Sequence, residues 1–76
     1  MENSEKVVIQ FSRALRLLRR KHNLTQEKLA ERADISYKNI QYLEAQEPTC
    51  PSLVTLHKIA KAFNISLAQL FKKLGL

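Results

Sequence analysis

Between Leu24 and Leu70 the chain repeats one local pattern: an apolar residue, then a hydroxyl residue, then an apolar side chain four positions after the hydroxyl. It appears as Leu24-Thr25 with Leu29, as Ile35-Ser36 with Ile40, and as Ile65-Ser66 with Leu70. Each instance reads as an N-cap with a hydrophobic staple: the hydroxyl accepts an orphan backbone N–H and the apolar pair fixes how the chain enters the helix. In the third, Gln69 stands three after Ser66 and completes a capping box. Upstream, Val8, Phe11, Leu15 and Leu18 recur at spacings of three, four and three. That stripe predicts a first helix starting after Asn3 or Ser4, with Glu5 in its first turn where a carboxylate suits the helix dipole. Pro51-Ser52 opens a fourth helix, with Ser52 as N-cap and Leu53, Leu56, Ile59, Ala60 and Phe63 as its apolar face. Asn23 and Asp34 stand where helices must stop, and both residue types tolerate a left-handed backbone. Ala45 to Pro51 keeps no period and holds two prolines, so it reads as a loop. A fifth helix should end near Lys73, with Gly75 beyond it as terminator.

The expected fold class is therefore all-α, with five helices. Helices two and three are short, about seven to nine residues, and a three- or four-residue break joins them, so they must cross steeply as in a helix-turn-helix. Small Ala30 and Ala33 let the two approach closely. At 76 residues the chain is expected to form one domain, residues 1–76, without linker or tandem repeat. Such a chain buries only about 60 % of its unfolded surface, so its stability should be roughly 4–11 kcal/mol.

Charge narrows the partners. Thirteen Lys and Arg against seven Asp and Glu give +6 and a pI near 9.8. That excess attracts polyanions, chiefly nucleic acid or an anionic membrane surface. No apolar run approaches the roughly 20 residues of a membrane span, and Met1-Glu2-Asn3-Ser4-Glu5 is unlike a signal peptide. A cytoplasmic location and no membrane partner are the expectation. One cysteine, Cys50, excludes an intrachain disulfide and a multi-cysteine metal site. His22 and His57 lack ligand-like spacing, so no metal, cofactor or small-molecule ligand is expected. No Ser/His/Asp, Cys/His or carboxylate pair has catalytic spacing, and one terminal glycine allows no phosphate loop, so the chain is not expected to be an enzyme.

At about 100° per residue, helix three places Ile40, Leu43 and Glu44 on one side and Lys38, Gln41 and Tyr42 on the other, with Tyr37 at the flank. The outer face is rich in hydrogen-bonding groups and holds no acid. Major-groove base edges present the complementary donors and acceptors. Lys38 suits a guanine edge, Gln41 an adenine or a phosphate, and Tyr37 and Tyr42 a thymine methyl or a phosphate. Ser36 and Asn39, in the first turn, belong to the same candidate surface. The N-terminus of helix two offers free N–H groups to a phosphate, with Thr25 and Gln26 as the preferred side chains there. Thr25 is expected both to cap and to bind. Arg13, Arg16, Arg19, Arg20 and Lys21 crowd the end of helix one, where cations also suit the helix dipole and a solvated face.

The run Leu24 to Glu44, followed by Pro51-Ser52-Leu53 through Asn64-Ile65-Ser66-Leu67, resembles the lambda-repressor-like, Cro/CI-type (XRE) helix-turn-helix family over about residues 8 to 74. The resemblance implies a compact five-helix domain, with helix three in the major groove of double-stranded DNA and helix two across the backbone. It implies that Gln26 touches phosphate and sometimes a base, that Tyr37, Lys38 and Tyr42 read bases, and that Arg19 and Glu44 form an ion pair tying helix one to the end of helix three. Three departures stand out. Gln46 replaces a common glycine after helix three, Asp34 replaces the usual glycine of the turn, and the loop Ala45 to Pro51 carries Glu47 and no Lys or Arg. Backbone anchoring then falls to Arg13, Arg16, Arg20 and the ends of helices two and three.

Leu67, Leu70, Phe71, Leu74 and Leu76 leave the carboxyl end more apolar than one small core requires. They predict a twofold homodimer contact at Leu67, Leu70, Phe71 and Leu74, the alternative being that they close the monomer's own core. The expected function is a sequence-specific transcriptional regulator on a pseudo-palindromic operator. The competing one is a protein-interaction module, an antitoxin or antagonist that restrains a protein partner.

Overall fold

A computed structural model describes residues 4–76. Five α-helices and no strand occur among these residues: α1 Ser4–Lys21, α2 Gln26–Ala33, α3 Tyr37–Leu43, α4 Leu53–Ala62 and α5 Leu67–Lys73. The first helix, expected to start after Asn3 or Ser4, is described from Ser4 onward; Asn3 lies outside the described residues.

The hydroxyl caps form as the pattern demands. Thr25, Ser36, Ser52 and Ser66 each hold an extended backbone and accept the N–H three residues on. At Ser66 the capping box closes, since Gln69 Oε1 accepts the Ser66 N–H at 2.9 Å. The stops are equally local. Asn23, Asp34, Asn64 and Gly75 take positive φ of 57°, 58°, 61° and 75°. After each, the next N–H returns to a carbonyl five residues back, Leu24 to Arg19, Ile35 to Ala30, Ile65 to Ala60 and Leu76 to Phe71, at 2.9–3.1 Å. This is the Schellman closure. Leu24, Ile35 and Ile65 thus end one helix and staple the next, which is why the connections are so short.

The core gathers Phe11, Leu15 and Leu18 of α1, Leu24, Leu29 and Ala30 around α2, Ile40 and Leu43 of α3, Ile59 and Ala60 of α4, and Leu70 and Leu74 at the carboxyl end. α2 packs on α3 and α4, and α4 packs on α5. Ala30 and Ala33 are buried where α2 meets its neighbours, as their size suggested. Two expectations need correction. Leu53 is 68 % exposed, because at the first position of α4 it projects beyond the elements that could cover it. Leu70 and Leu74 are buried inside the monomer at 0 % and 3 % exposure, so neither side chain is available to a dimer partner. Leu67 packs half-buried against the same core, and Phe71 is half-buried beside it. Leu70 and Leu74 at the carboxyl end complete the core that the other four helices build.

The difference is measurable by urea denaturation. Leu70→Ala should lower the unfolding free energy by about 2–5 kcal/mol, whereas Leu53→Ala should change it by less than about 0.5 kcal/mol. Equal effects at the two positions would contradict this division between core and surface.

Candidate nucleic-acid interface

Helix three shows two faces. Ile40 and Leu43 are fully buried, at 0 % and 1 % exposure, while Lys38, Gln41 and Tyr42 are exposed to solvent. Tyr37 and Tyr42 are large apolar rings standing 43 % and 50 % open, each with a hydroxyl at its tip. Ser36 spends its hydroxyl on the Asn39 N–H at 3.0 Å, and Asn39 is half-buried behind it. Those two residues therefore border the surface and set the start of α3, while Lys38, Gln41 and Tyr42 form its outer face.

Beside the start of α3 lies an open polar hollow of about 460 Å³, lined by Arg16, Arg20, Thr25, Gln26, Glu27, Tyr37 and the Arg19–Glu44 pair. Five of the candidate DNA-contacting residues, Arg16, Arg20, Thr25, Gln26 and Tyr37, are brought together here. Thr25 Oγ1 accepts the Lys28 N–H at 3.0 Å, so its hydroxyl oxygen already caps α2. Lys28 leans on Glu31 at 3.2 Å on an exposed face, a pair of little energetic weight. Arg20 points to solvent at the rim.

Glu44 closes the inner wall. Its carboxylate receives Arg19 through two bonds, Nε to Oε2 at 2.8 Å and Nη2 to Oε1 at 2.9 Å, while Arg19 Nη1 donates to the Leu24 carbonyl at 2.7 Å. The pair is buried, Arg19 8 % and Glu44 2 % exposed. Hydrogen bonding to Glu44 holds the Arg19 guanidinium above its ordinary pKa; burial opposes this and the charge attraction adds to it. A raised cationic pKa means that its stabilisation is full at lower pH and fades only as pH climbs through that raised value, so Arg19 does not titrate near neutrality.

Two further partners of Glu44 had no signal in the spacing. Gln26 Nε2 donates to Glu44 Oε1 at 3.0 Å, which turns the amide carbonyl away from the carboxylate. Arg16, from the basic cluster of α1, donates to the Glu44 backbone carbonyl and sits with Nε 3.9 Å from Oε1. Gln26 is thus held by α3 before any ligand arrives. Among the described residues no buried side-chain nitrogen or oxygen lacks a partner.

Two short helices joined by a tight turn, the second with a polar outer face and a polar hollow at its side, form a helix-turn-helix unit. The helix-turn-helix family matches residues 15–70, and the chain belongs to that family of DNA-binding regulators, in the lambda-repressor-like, Cro/CI-type form. A search of curated proteins finds no match. Among the described residues, no cluster of His, Cys, Asp and Glu could hold a metal ion, and no helix is long and apolar enough to cross a membrane.

Glu44→Ala leaves a buried guanidinium uncompensated and should destabilise the protein by about 3–5 kcal/mol. Arg19→Met combined with Glu44→Leu should recover a substantial part of that loss, both read from urea unfolding; a double variant no better than Glu44→Ala would show that the pair contributes stability rather than position.

Proposed function

We propose that this protein is a sequence-specific DNA-binding transcriptional regulator that docks α3 in the major groove and works as a homodimer on a pseudo-palindromic operator, within the cytoplasm. The observation that carries the reading is the exposure of Lys38, Gln41 and Tyr42 on the outside of a helix whose inner residues are fully buried. Lys38, Gln41, Tyr37 and Tyr42 read base edges; Thr25, Gln26 and Arg20 meet phosphate around the polar hollow, and Ser36 and Asn39 fix the helix start. The chain acts as one domain in this role.

The dimer contact moves from Leu70 and Leu74 to the apolar residues left outside the core. Val7, Leu53, Val54 and Leu76 are 45–68 % exposed, and Val7 and Leu76 line an apolar groove of about 340 Å³ with Phe71. A dimer on a pseudo-palindromic operator needs its two α3 helices about 34 Å apart. The same groove supports the alternative, a module that restrains a partner protein; that reading expects little salt-sensitive DNA affinity.

Selection from random duplex DNA, with the mass of the bound species measured, tests the reading: a palindromic site bound by two copies is expected, and no enriched sequence would sink it. If the dimer neutralises about 6–10 phosphates, affinity should fall about 10³–10⁵-fold between roughly 50 and 200 mM salt. Lys38→Ala should cost about 1–3 kcal/mol at particular base positions, whereas Arg20→Ala should weaken all sequences alike and flatten the salt slope by about one. A uniform loss from Lys38→Ala would restrict Lys38 to phosphate.

A further inference from the structure

Four helices end in a left-handed backbone closure, and α3 does not. Its C-cap, Glu44, has φ −101° and ψ 6°, and neither Ala45 nor Gln46 takes the left-handed conformation that closes α1, α2, α4 and α5. Apart from one long local bond, Ala45 N–H to the Tyr42 carbonyl at 3.4 Å, this end is met from outside the helix. Arg16 Nη2 donates to the Glu44 carbonyl, Thr49 N–H reaches the Tyr42 carbonyl at 3.2 Å, and Ser12 Oγ lies 3.5 Å from the Ala45 carbonyl. Arg16 and Ser12 both belong to α1, so the far end of α3 is held by another helix.

We propose that Arg16 is a positioning residue for the DNA site: its guanidinium holds the C-terminus of α3 where the other helices have a left-handed closure, and so helps fix the direction of α3 and the path of the loop after it. The inference rests on the DNA-binding reading above. A cation suits a helix C-terminus because it meets the negative end of the dipole and the unsatisfied carbonyls together. Arginine suits this place better than lysine because its planar fork can donate to the Glu44 carbonyl while Nε faces the Glu44 carboxylate 3.9 Å away. α3 is only seven residues long, and its C-terminal end is held twice from α1, by Arg19 through the Glu44 side chain and by Arg16 through the Glu44 carbonyl. Arg16 and Arg20 both line the hollow, but Arg16 is bonded to the end of α3 while Arg20 is exposed. The half-exposed Arg16 side chain has one donor bonded to the Glu44 carbonyl, so its pose is set by the protein before any phosphate arrives.

The test uses the whole chain, a duplex selected for binding and a scrambled duplex of equal length. Arg16→Lys and Arg16→Ala should both lower affinity for the selected duplex by about 2- to 30-fold, the range for residues that act on a site through a bonded network. Affinity for the scrambled duplex and the salt slope should stay as in the unsubstituted protein, and the amide resonances of Ala45 to Thr49 should shift in the DNA-free state. Arg16→Lys keeps the charge and serves if Arg16→Ala melts. Full affinity in Arg16→Lys overturns the proposal, as does an equal loss on both duplexes with the salt slope flattened by about one, the mark of a phosphate anchor. If the unsubstituted chain shows no salt-sensitive duplex binding, the DNA-binding reading falls and the positioning role falls with it; normal binding matched by both variants overturns the positioning role alone.

Discussion

One buried carboxylate holds the arrangement together. Glu44 ends α3, yet its side chain is shared by Arg19 of α1 and Gln26 of α2, and its carbonyl by Arg16. Three helices thereby meet at a single residue that is 2 % exposed. Replacing such a charged cluster with apolar side chains often costs little stability, so its worth lies in geometry: a bidentate fork admits far fewer relative orientations than a greasy contact does. The direction of α3, the floor of the polar hollow and the pose of Gln26 all follow from it.

That constraint also sorts the arginines. Along α1 the basic residues look alike, and charge alone assigns them one role. In the fold, Arg19 is consumed by the carboxylate, Arg16 lies over the end of α3, and Arg20 stands at the rim of the hollow. The net charge of +6 therefore overstates the number of cations facing a polyanion. Counting basic residues gives the sign of a field; only their partners give its shape.

The frame rests on a compact device. Leu24, Ile35 and Ile65 each close a Schellman turn behind them and staple the helix ahead, with Thr25, Ser36 and Ser66 capping at the next position. Connections this short leave little freedom in how successive helices cross. The long loop from α3 to α4 lacks the device, and there α1 intervenes through Ser12 and Arg16.

Much of this was legible in the residues. The caps at Thr25, Ser36, Ser52 and Ser66, the left-handed stops at Asn23, Asp34 and Gly75, and the polar outer face of α3 depend on interactions within about five positions or on the helical period, and linear order carries both. The stop at Asn64 is of the same kind and was overlooked. What linear order could not carry was which faces meet. An apolar α5 reads equally well as core or as interface, and the burial of Leu70 and Leu74 was decided by how the other four helices pack around them. Likewise, a carboxylate at position 44 announces a partner but not three, because Arg16, Arg19 and Gln26 converge on it only after α1 and α2 have packed, and side-chain hydrogen bonds between distant residues exist only once packing has brought them within 3 Å or so.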